Sequence, residues 1–224
     1  MIEYLWPTPI FMNKAPFTEA EIKSLAEFAK SENTLFKQNP ISHDLVDAGV
    51  PIRYQFNLLS EPYNSRAPKN EWNKLQSYID TTYREYLTEA YGVKNASEIK
   101  YVARILPVHY NTPNQRTMPH YHHTCDHVMC IYLEVGKNRT PYAERDIRVG
   151  DGELILCDPR PMASFPFWEK TRQFETQPGL CIMHPSRLWH ETNPFTSDGD
   201  RVLLAITLRV VSHNYNDLYK EMHV

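Results

Sequence analysis

The N-terminal part of the chain has apolar residues at the spacing expected of two helices. Thr18 and Glu21 form a capping box that predicts a helix start. The apolar stripe that follows comprises Ile22, Leu25, Phe28 and Ala29. A second helix is predicted from Asn70 to Gly92, because Asn favours helix starts and Gly favours helix ends. Its apolar face comprises Trp72, Leu75, Ile79, Tyr83, Tyr86 and Ala90. Residues 33–69, rich in Pro, Asn and Ser, should form loops with short strands.

The pattern changes after Gly92 to short runs rich in β-branched and aromatic residues, separated by turn residues. Strands are predicted near residues 99–109, 127–135, 144–149, 153–157, 180–184 and 201–211. This all-β second half favours a sandwich or jelly roll, with the two helices packed on the outside of one sheet. The expected fold class is therefore mainly β, in an α+β arrangement.

A length of 224 residues is within the range of one β-rich domain. A boundary near Asn95 is conceivable, but the preceding segment has two clear helices and no core of its own. We therefore expect a single domain over residues 1–224, in which residues 1–94 give helical support and residues 95–212 form the β core.

Composition and charge argue against several classes of partner. The net charge of −3 provides no basic face for nucleic acid and no polybasic patch for anionic lipid. No stretch approaches the roughly 18 apolar residues that span a bilayer, and the first residues lack the pattern of a secretory signal. We therefore expect a cytoplasmic protein. Its four cysteines should stay reduced: Cys125, Cys130, Cys157 and Cys181.

Histidine is the residue type that stands out, with ten in the chain and four between positions 120 and 127. In an extended chain, His120 and His122 point to the same side and can share one metal ion. His190 follows a second apolar strand and is the best candidate for a third ligand. Three ligands on one face of an octahedral ion leave three positions open for a cosubstrate and oxygen.

Two other interpretations of the histidines remain open. A His-rich stretch is often a solvated loop. A structural zinc site could instead use His122, His123, Cys125 and His127, although it lacks a second closely spaced pair of ligands.

Several motifs, in order along nearly the whole chain, resemble one known family. They are Leu5-Trp6-Pro7-Thr8-Pro9-Ile10, Asn111-Thr112-Pro113, His120-Tyr121-His122, Cys130-Ile131-Tyr132-Leu133, Leu154-Ile155-Leu156-Cys157-Asp158-Pro159-Arg160 and His184-Pro185-Ser186-Arg187-Leu188-Trp189-His190. The chain thereby resembles the 2-oxoglutarate and iron(II) oxygenases frequent in bacteria and their phages. The resemblance implies a double-stranded β-helix, or jelly roll, that binds Fe(II), 2-oxoglutarate and O2.

The same resemblance implies roles for two further residues. Arg201 matches the family's arginine, eleven residues after His190, and would bind the far carboxylate of 2-oxoglutarate. An arginine fork suits a carboxylate through paired, charge-assisted hydrogen bonds. Ser197-Asp198-Gly199 would mark a hairpin between these two residues. Tyr132 resembles the tyrosine with which related hydroxylases bind that carboxylate, although a core tyrosine is an equally good interpretation.

One residue departs from the wider superfamily, which has Asp or Glu two residues after the first histidine. This chain has His122 there, which leaves an Fe(II) site one unit more positive. Asp126 has the same strand parity and is an alternative carboxylate ligand.

The function expected from the resemblance is oxidative decarboxylation of 2-oxoglutarate to succinate, coupled to hydroxylation of a small molecule or a protein side chain. A cupin-like metal enzyme without 2-oxoglutarate, or a jelly roll that binds metal without catalysis, remains possible. The substrate pocket could be bordered by the loop 158–178 and by Tyr121, Arg160, Trp168 and Trp189.

Overall fold

The computed structural model describes residues 8–38, 56–137, 151–159 and 170–211. In these ranges, the α-helices are α1 (Glu19–Gln38), α2 (Tyr63–Arg66) and α3 (Lys69–Tyr91), and a 3-10 helix covers Ala96–Glu98. The strands are β1 (Phe11–Lys14), β2 (Tyr101–Tyr110), β3 (His127–Lys137), β4 (Leu154–Cys157), β5 (Thr171–Phe174), β6 (Leu180–Pro185), β7 (His190–Thr192) and β8 (Asp198–Val210). The predicted sheet-rich α+β class is confirmed, while the strand predicted at 144–149 lies outside the described residues.

The capping box predicts the start of α1 correctly. The Thr18 amide donates to Glu21 Oε2 at 2.7 Å, and the Glu21 amide donates to Thr18 Oγ1 at 3.3 Å. These two bonds satisfy amides that have no partner within the helix. The N-cap of α3 is Pro68 and not the predicted Asn70, so the helix begins at Lys69. It ends at Tyr91, and Gly92 follows it as predicted, with a φ of 68°. Glycine adopts this left-handed conformation without steric cost.

The strands form two antiparallel sheets. The larger has the order β1-β6-β3-β8-β2, and the smaller has the order β5-β4-β7. β7 pairs with β4 in the smaller sheet, whereas β8 pairs with β2 and β3 in the larger one. The hairpin predicted at Ser197-Asp198-Gly199 is therefore wrong, because the chain crosses from one sheet to the other between β7 and β8. Asp198 and Gly199 already belong to β8.

Strand alternation divides the core between two faces of the larger sheet. On β3, Met129, Ile131 and Leu133 pack with α1 and α3 in one apolar cluster. Val128, Cys130 and Tyr132 point the other way, into a second cluster shared with Leu154 and Leu156 of the smaller sheet. The helices thus cover one face of the larger sheet, as predicted, and the opposite face encloses an interior between the two sheets.

All four cysteines are free thiols, as expected. In the described parts of the chain, no helix combines the length and apolar character that a membrane crossing requires.

Candidate metal centre

The structure brings together the three histidines singled out in the sequence. Each of His120, His122 and His190 offers one ligand atom, and these atoms all lie within 4.8 Å of one another. The ring centroids of His120 and His190 are 4.2 Å apart, and those of His122 and His190 are 5.2 Å apart. A set of three imidazoles at this spacing can hold one transition-metal ion.

Backbone pairing fixes two of the three histidines side by side. His120 forms an antiparallel bridge with His190, and the two residues exchange amide-to-carbonyl hydrogen bonds of 2.9 Å in both directions. The His122 amide donates to the carbonyl of Ser186 at 2.8 Å. The segment carrying His120 and His122 is therefore held against the chain that leads into β7, which is why residues so far apart in sequence meet.

Hydrogen bonds also select which ring nitrogen can bind a metal. His120 Nδ1 donates to the Met118 carbonyl at 2.8 Å, and His190 Nδ1 donates to the Leu188 carbonyl at 2.8 Å. A carbonyl can only accept, so Nε2 of each ring carries the lone pair that faces a metal. Burial, reinforced by the neighbouring histidines, lowers the pKa of His190 to about 3 and keeps this ring neutral. Lone pairs oriented in this way fit an Fe(II) ion.

The two competing ligand sets are not assembled among the described residues. Asp126 Oδ2 accepts a hydrogen bond from the Val210 amide at 2.7 Å and stands outside the histidine group. His127 points to the other face of β3, where its ring nitrogens lie 3.0 Å from the Tyr83 hydroxyl and 3.1 Å from the Tyr91 hydroxyl. Burial lowers the pKa of His127 to about 4, so it is a neutral core residue.

Arg201 and Tyr132 lie in the interior between the sheets. Arg201 is fully buried, and none of its three guanidinium nitrogens has a hydrogen-bond partner among the described residues. Its Cζ is 4.7 Å from the ring centroid of Tyr110 and 5.4 Å from that of Tyr132. The Tyr132 hydroxyl is also buried without a partner in the described parts, and burial raises its pKa. A buried cation beside an unpaired hydroxyl is a site for an anion.

A chain of contacts connects this pair with the histidines. His190 and Thr192 share one face of β7, where such residues are about 6.6 Å apart. Thr192 Oγ1 lies 3.3 Å from the Tyr110 hydroxyl, and the guanidinium of Arg201 lies over the Tyr110 ring. The candidate anion site and the candidate metal site therefore belong to one interior.

The aromatic residues that flank the histidines form an exposed pair. Tyr121 is 40% exposed and Trp189 is 47% exposed, and their rings meet edge to face at a centroid distance of 5.1 Å. Arg187 lies over Tyr121, with its Cζ 5.7 Å from the ring centroid. Arg160 and Trp168 lie outside the described residues, so only this part of the predicted substrate border can be placed.

The sequence prediction missed His184, which is fully buried on β6 with its ring centroid 4.8 Å from that of His190. A usable signal was present, because His184 has the same strand parity as the buried Ile182 and precedes His190 by six residues.

Comparison with known proteins identifies the segment that contains the three histidines and Arg201. Residues 108–207 match the profile of a family described as "Putative 2OG-Fe(II) oxygenase". The match covers slightly less than half of the chain and identifies a domain of the 2OG-Fe(II) oxygenase type in this segment. The predicted family and its class, the oxidoreductases, are thereby confirmed, and the predicted Fe(II), 2-oxoglutarate and O2 are the cofactors that this family uses. No curated protein matches the chain.

Solved structures of other proteins share the fold. A prolyl-4-hydroxylase from Pseudomonas putida is 11% identical with a TM-score of 0.56, over 92% of this chain and 89% of that one. AviO1 from Streptomyces viridochromogenes Tue57 is 13% identical with a TM-score of 0.57, over 90% of each chain. A prolyl hydroxylase from Trichoplax adhaerens, in complex with a hypoxia inducible factor peptide fragment, is 12% identical with a TM-score of 0.55, over 89% of this chain and 83% of that one. These likenesses establish the fold.

Proposed function

We propose that this protein is an Fe(II)- and 2-oxoglutarate-dependent dioxygenase, in which His120, His122 and His190 bind the metal. The observation that carries the proposal is the buried guanidinium of Arg201 next to Tyr132, since neither this guanidinium nor the Tyr132 hydroxyl has a hydrogen-bond partner among the described residues. Leaving a charge buried without a counterion costs several kcal/mol, so the site is built for an anion. A dicarboxylate that chelates the metal at one end would place its other carboxylate on Arg201 and Tyr132.

The reaction would couple oxidative decarboxylation of 2-oxoglutarate to hydroxylation of the substrate. One O2 is consumed: one oxygen atom enters succinate, the other enters the hydroxylated product, and CO2 is released. Fe(II), when bound, supplies the oxidising chemistry. The chain's own residues orient the cosubstrate through Arg201 and Tyr132, and the apolar cluster around Leu154, Leu156 and Ile182 keeps bulk water from the interior.

We place the substrate at the exposed pair Tyr121 and Trp189. Each of these residues is the chain neighbour of a proposed metal ligand, and both rings remain open to solvent. Arg187 adds a positive charge at the same edge. Such a surface suits a small molecule or a protein side chain with apolar and anionic parts, while the overall net charge of −3 disfavours nucleic acid.

The first test is an anaerobic titration of the Fe(II)-loaded protein with 2-oxoglutarate, in which the visible metal-to-ligand charge-transfer band is followed. We expect Arg201→Ala to weaken 2-oxoglutarate affinity by about thirtyfold or more, since breaking one partner of a buried ionic contact costs roughly 2–5 kcal/mol. Arg209→Ala is the matched control, because it removes the same charge from an exposed position of the same strand.

The alternatives give different results in this test. A cupin-like enzyme would bind the metal and show no band with 2-oxoglutarate, and its affinity for its own substrate would not depend on Arg201. A protein that binds metal without catalysis would form no succinate when O2 is admitted. A band of equal strength in the wild type and in Arg201→Ala would refute the assigned role of Arg201.

A further inference from the structure

His184 places a fourth imidazole against the three proposed ligands. Its side chain is fully buried, and its ring centroid lies 4.8 Å from that of His190, with the two ring planes at 62°. Leu180 and Ile182, which share its strand parity on β6, lie in the cluster between the two sheets. His184 therefore faces the same interior as the metal centre.

Hydrogen bonding fixes the tautomer of His184. Its Nδ1 lies 2.9 Å from the carbonyl oxygen of Pro185, which can only accept, so Nδ1 carries the proton. Nε2 consequently presents a lone pair, and this buried atom has no hydrogen-bond partner among the described residues. A buried acceptor without a partner lowers the stability of the fold, which indicates that Nε2 binds a group outside the described residues.

The geometry separates His184 from the direct ligands. The ligand atoms of His120, His122 and His190 all lie within 4.8 Å of one another, and His184 is not a member of that group. An acceptor just outside a set of three ligands can receive a hydrogen bond from a group held on the ion, and Fe(II) with three protein ligands has open positions for water.

We propose that His184 is a positioning residue of the metal centre, whose Nε2 accepts a hydrogen bond from a water ligand of Fe(II) and thereby strengthens metal binding. This inference rests on the proposed metal site. Hydrogen-bond partners just outside the direct ligands typically change metal affinity by tenfold to a hundredfold, which sets the size of the expected effect.

Two substitutions separate this role from simple packing. His184→Phe keeps an aromatic ring in the core and removes the lone pair. His184→Gln keeps an acceptor oxygen at the reach of Nε2. His123→Phe is the matched control, because His123 belongs to the same histidine-rich segment but is exposed.

The experiment measures Co(II) affinity by competition with a chelator, together with the melting temperature of the metal-free protein. We expect His184→Phe to lose at least tenfold in Co(II) affinity without any fall in the metal-free melting temperature. The variant removes a buried Nε2 that has no partner among the described residues, and the Pro185 carbonyl keeps the Leu188 amide as a donor at 3.1 Å. His184→Gln should recover most of the affinity, and His123→Phe should match the wild type.

The inference is overturned if His184→Phe binds Co(II) as tightly as the wild type, or if it loses affinity only together with metal-free stability. If the proposed metal site itself is wrong, the wild type binds no Co(II), and both proposals are then refuted. Tight binding by the wild type and by both His184 variants leaves the metal site intact and removes only the role of His184.

Discussion

Gly152 lies directly against Arg201: a Cβ atom added to Gly152 would stand 2.5 Å from Arg201 Cδ and 2.7 Å from Arg201 Nε. Its φ of 73° is also a conformation that favours glycine. The loop that precedes β4 therefore has no room for a side chain at position 152, because the Arg201 side chain already fills that space.

This contact predicts that Gly152→Ala displaces Arg201 and weakens 2-oxoglutarate binding by about tenfold or more, while Co(II) binding is retained. Gly199→Ala is the control, because Gly199 has a φ of 81° but its nearest neighbour, Lys137 Cγ, would be 3.8 Å away. Both variants carry backbone strain, and only Gly152→Ala clashes with Arg201. Anaerobic 2-oxoglutarate titration separates the two, and equal affinities would rule out confinement by Gly152.

The identity of the second ligand can be tested by comparing His122 with Asp126. His122 belongs to the group of three histidines, whereas the Asp126 carboxylate accepts a hydrogen bond from Val210. We expect His122→Ala and His190→Ala to abolish stoichiometric metal binding and metal-dependent turnover, and Asp126→Asn to retain both. Metal content after anaerobic loading is the measurement. Loss of metal in Asp126→Asn, with metal retained in His122→Ala, would make the carboxylate the ligand.

His127 should make the metal-free protein less stable in acid. Its pKa is about 4 in the fold, below the usual value of 6.5, so between these pH values the unfolded chain binds a proton that the folded chain does not. The contribution of neutral His127 to the free energy of unfolding is fully present above pH 6.5. It falls by up to roughly 3 kcal/mol as the pH drops to 4.

Chemical denaturation of the metal-free protein across this pH range tests that expectation. His127→Gln should flatten the fall in unfolding free energy, and His123→Gln, at an exposed position, should leave it unchanged. Parallel pH profiles for the wild type and His127→Gln would show that His127 does not contribute.

The capping box of α1 predicts a measurable loss of stability. Thr18→Ala removes the hydroxyl that accepts from the Glu21 amide and should cost about 1 kcal/mol of unfolding free energy. Thr34→Ala is the control, because Thr34 is exposed within the same helix and its hydroxyl bonds only to the Lys30 carbonyl. Equal losses in the two variants would contradict a specific capping effect.

Local signals in the sequence predict much of the secondary structure. The capping box, the glycine at position 92 and the alternation from 127 to 133 place α1, the end of α3 and the faces of β3 almost as observed. They succeed because helix caps and strand alternation depend on neighbouring residues. The spacing of His120 and His122 belongs to the same class of signal, and it indicates a shared ligand pair.

Long-range features could not be read in this way. The supposed hairpin at 197–199 is a crossing between sheets, because turn residues mark a change of direction without specifying the partner strand. The strand parity of His184 indicates the face on which it lies, but its contact with the His190 ring depends on how β6 and β7 pack together.

The sequence by itself determined the two long helices, the longer strands and the mainly β fold class. It also gave the pair His120 and His122 with His190 as a third candidate ligand, and the family resemblance added Arg201 as the candidate carboxylate-binding residue. Only the tertiary structure decided that His190 forms a bridge with His120, that the His184 ring lies next to the His190 ring, and that Arg201 is buried next to Tyr132 with no hydrogen-bond partner in the described part of the chain. The physical reason is that burial and unsatisfied hydrogen bonding depend on which distant segments pack together, and no local pattern of residues contains that information.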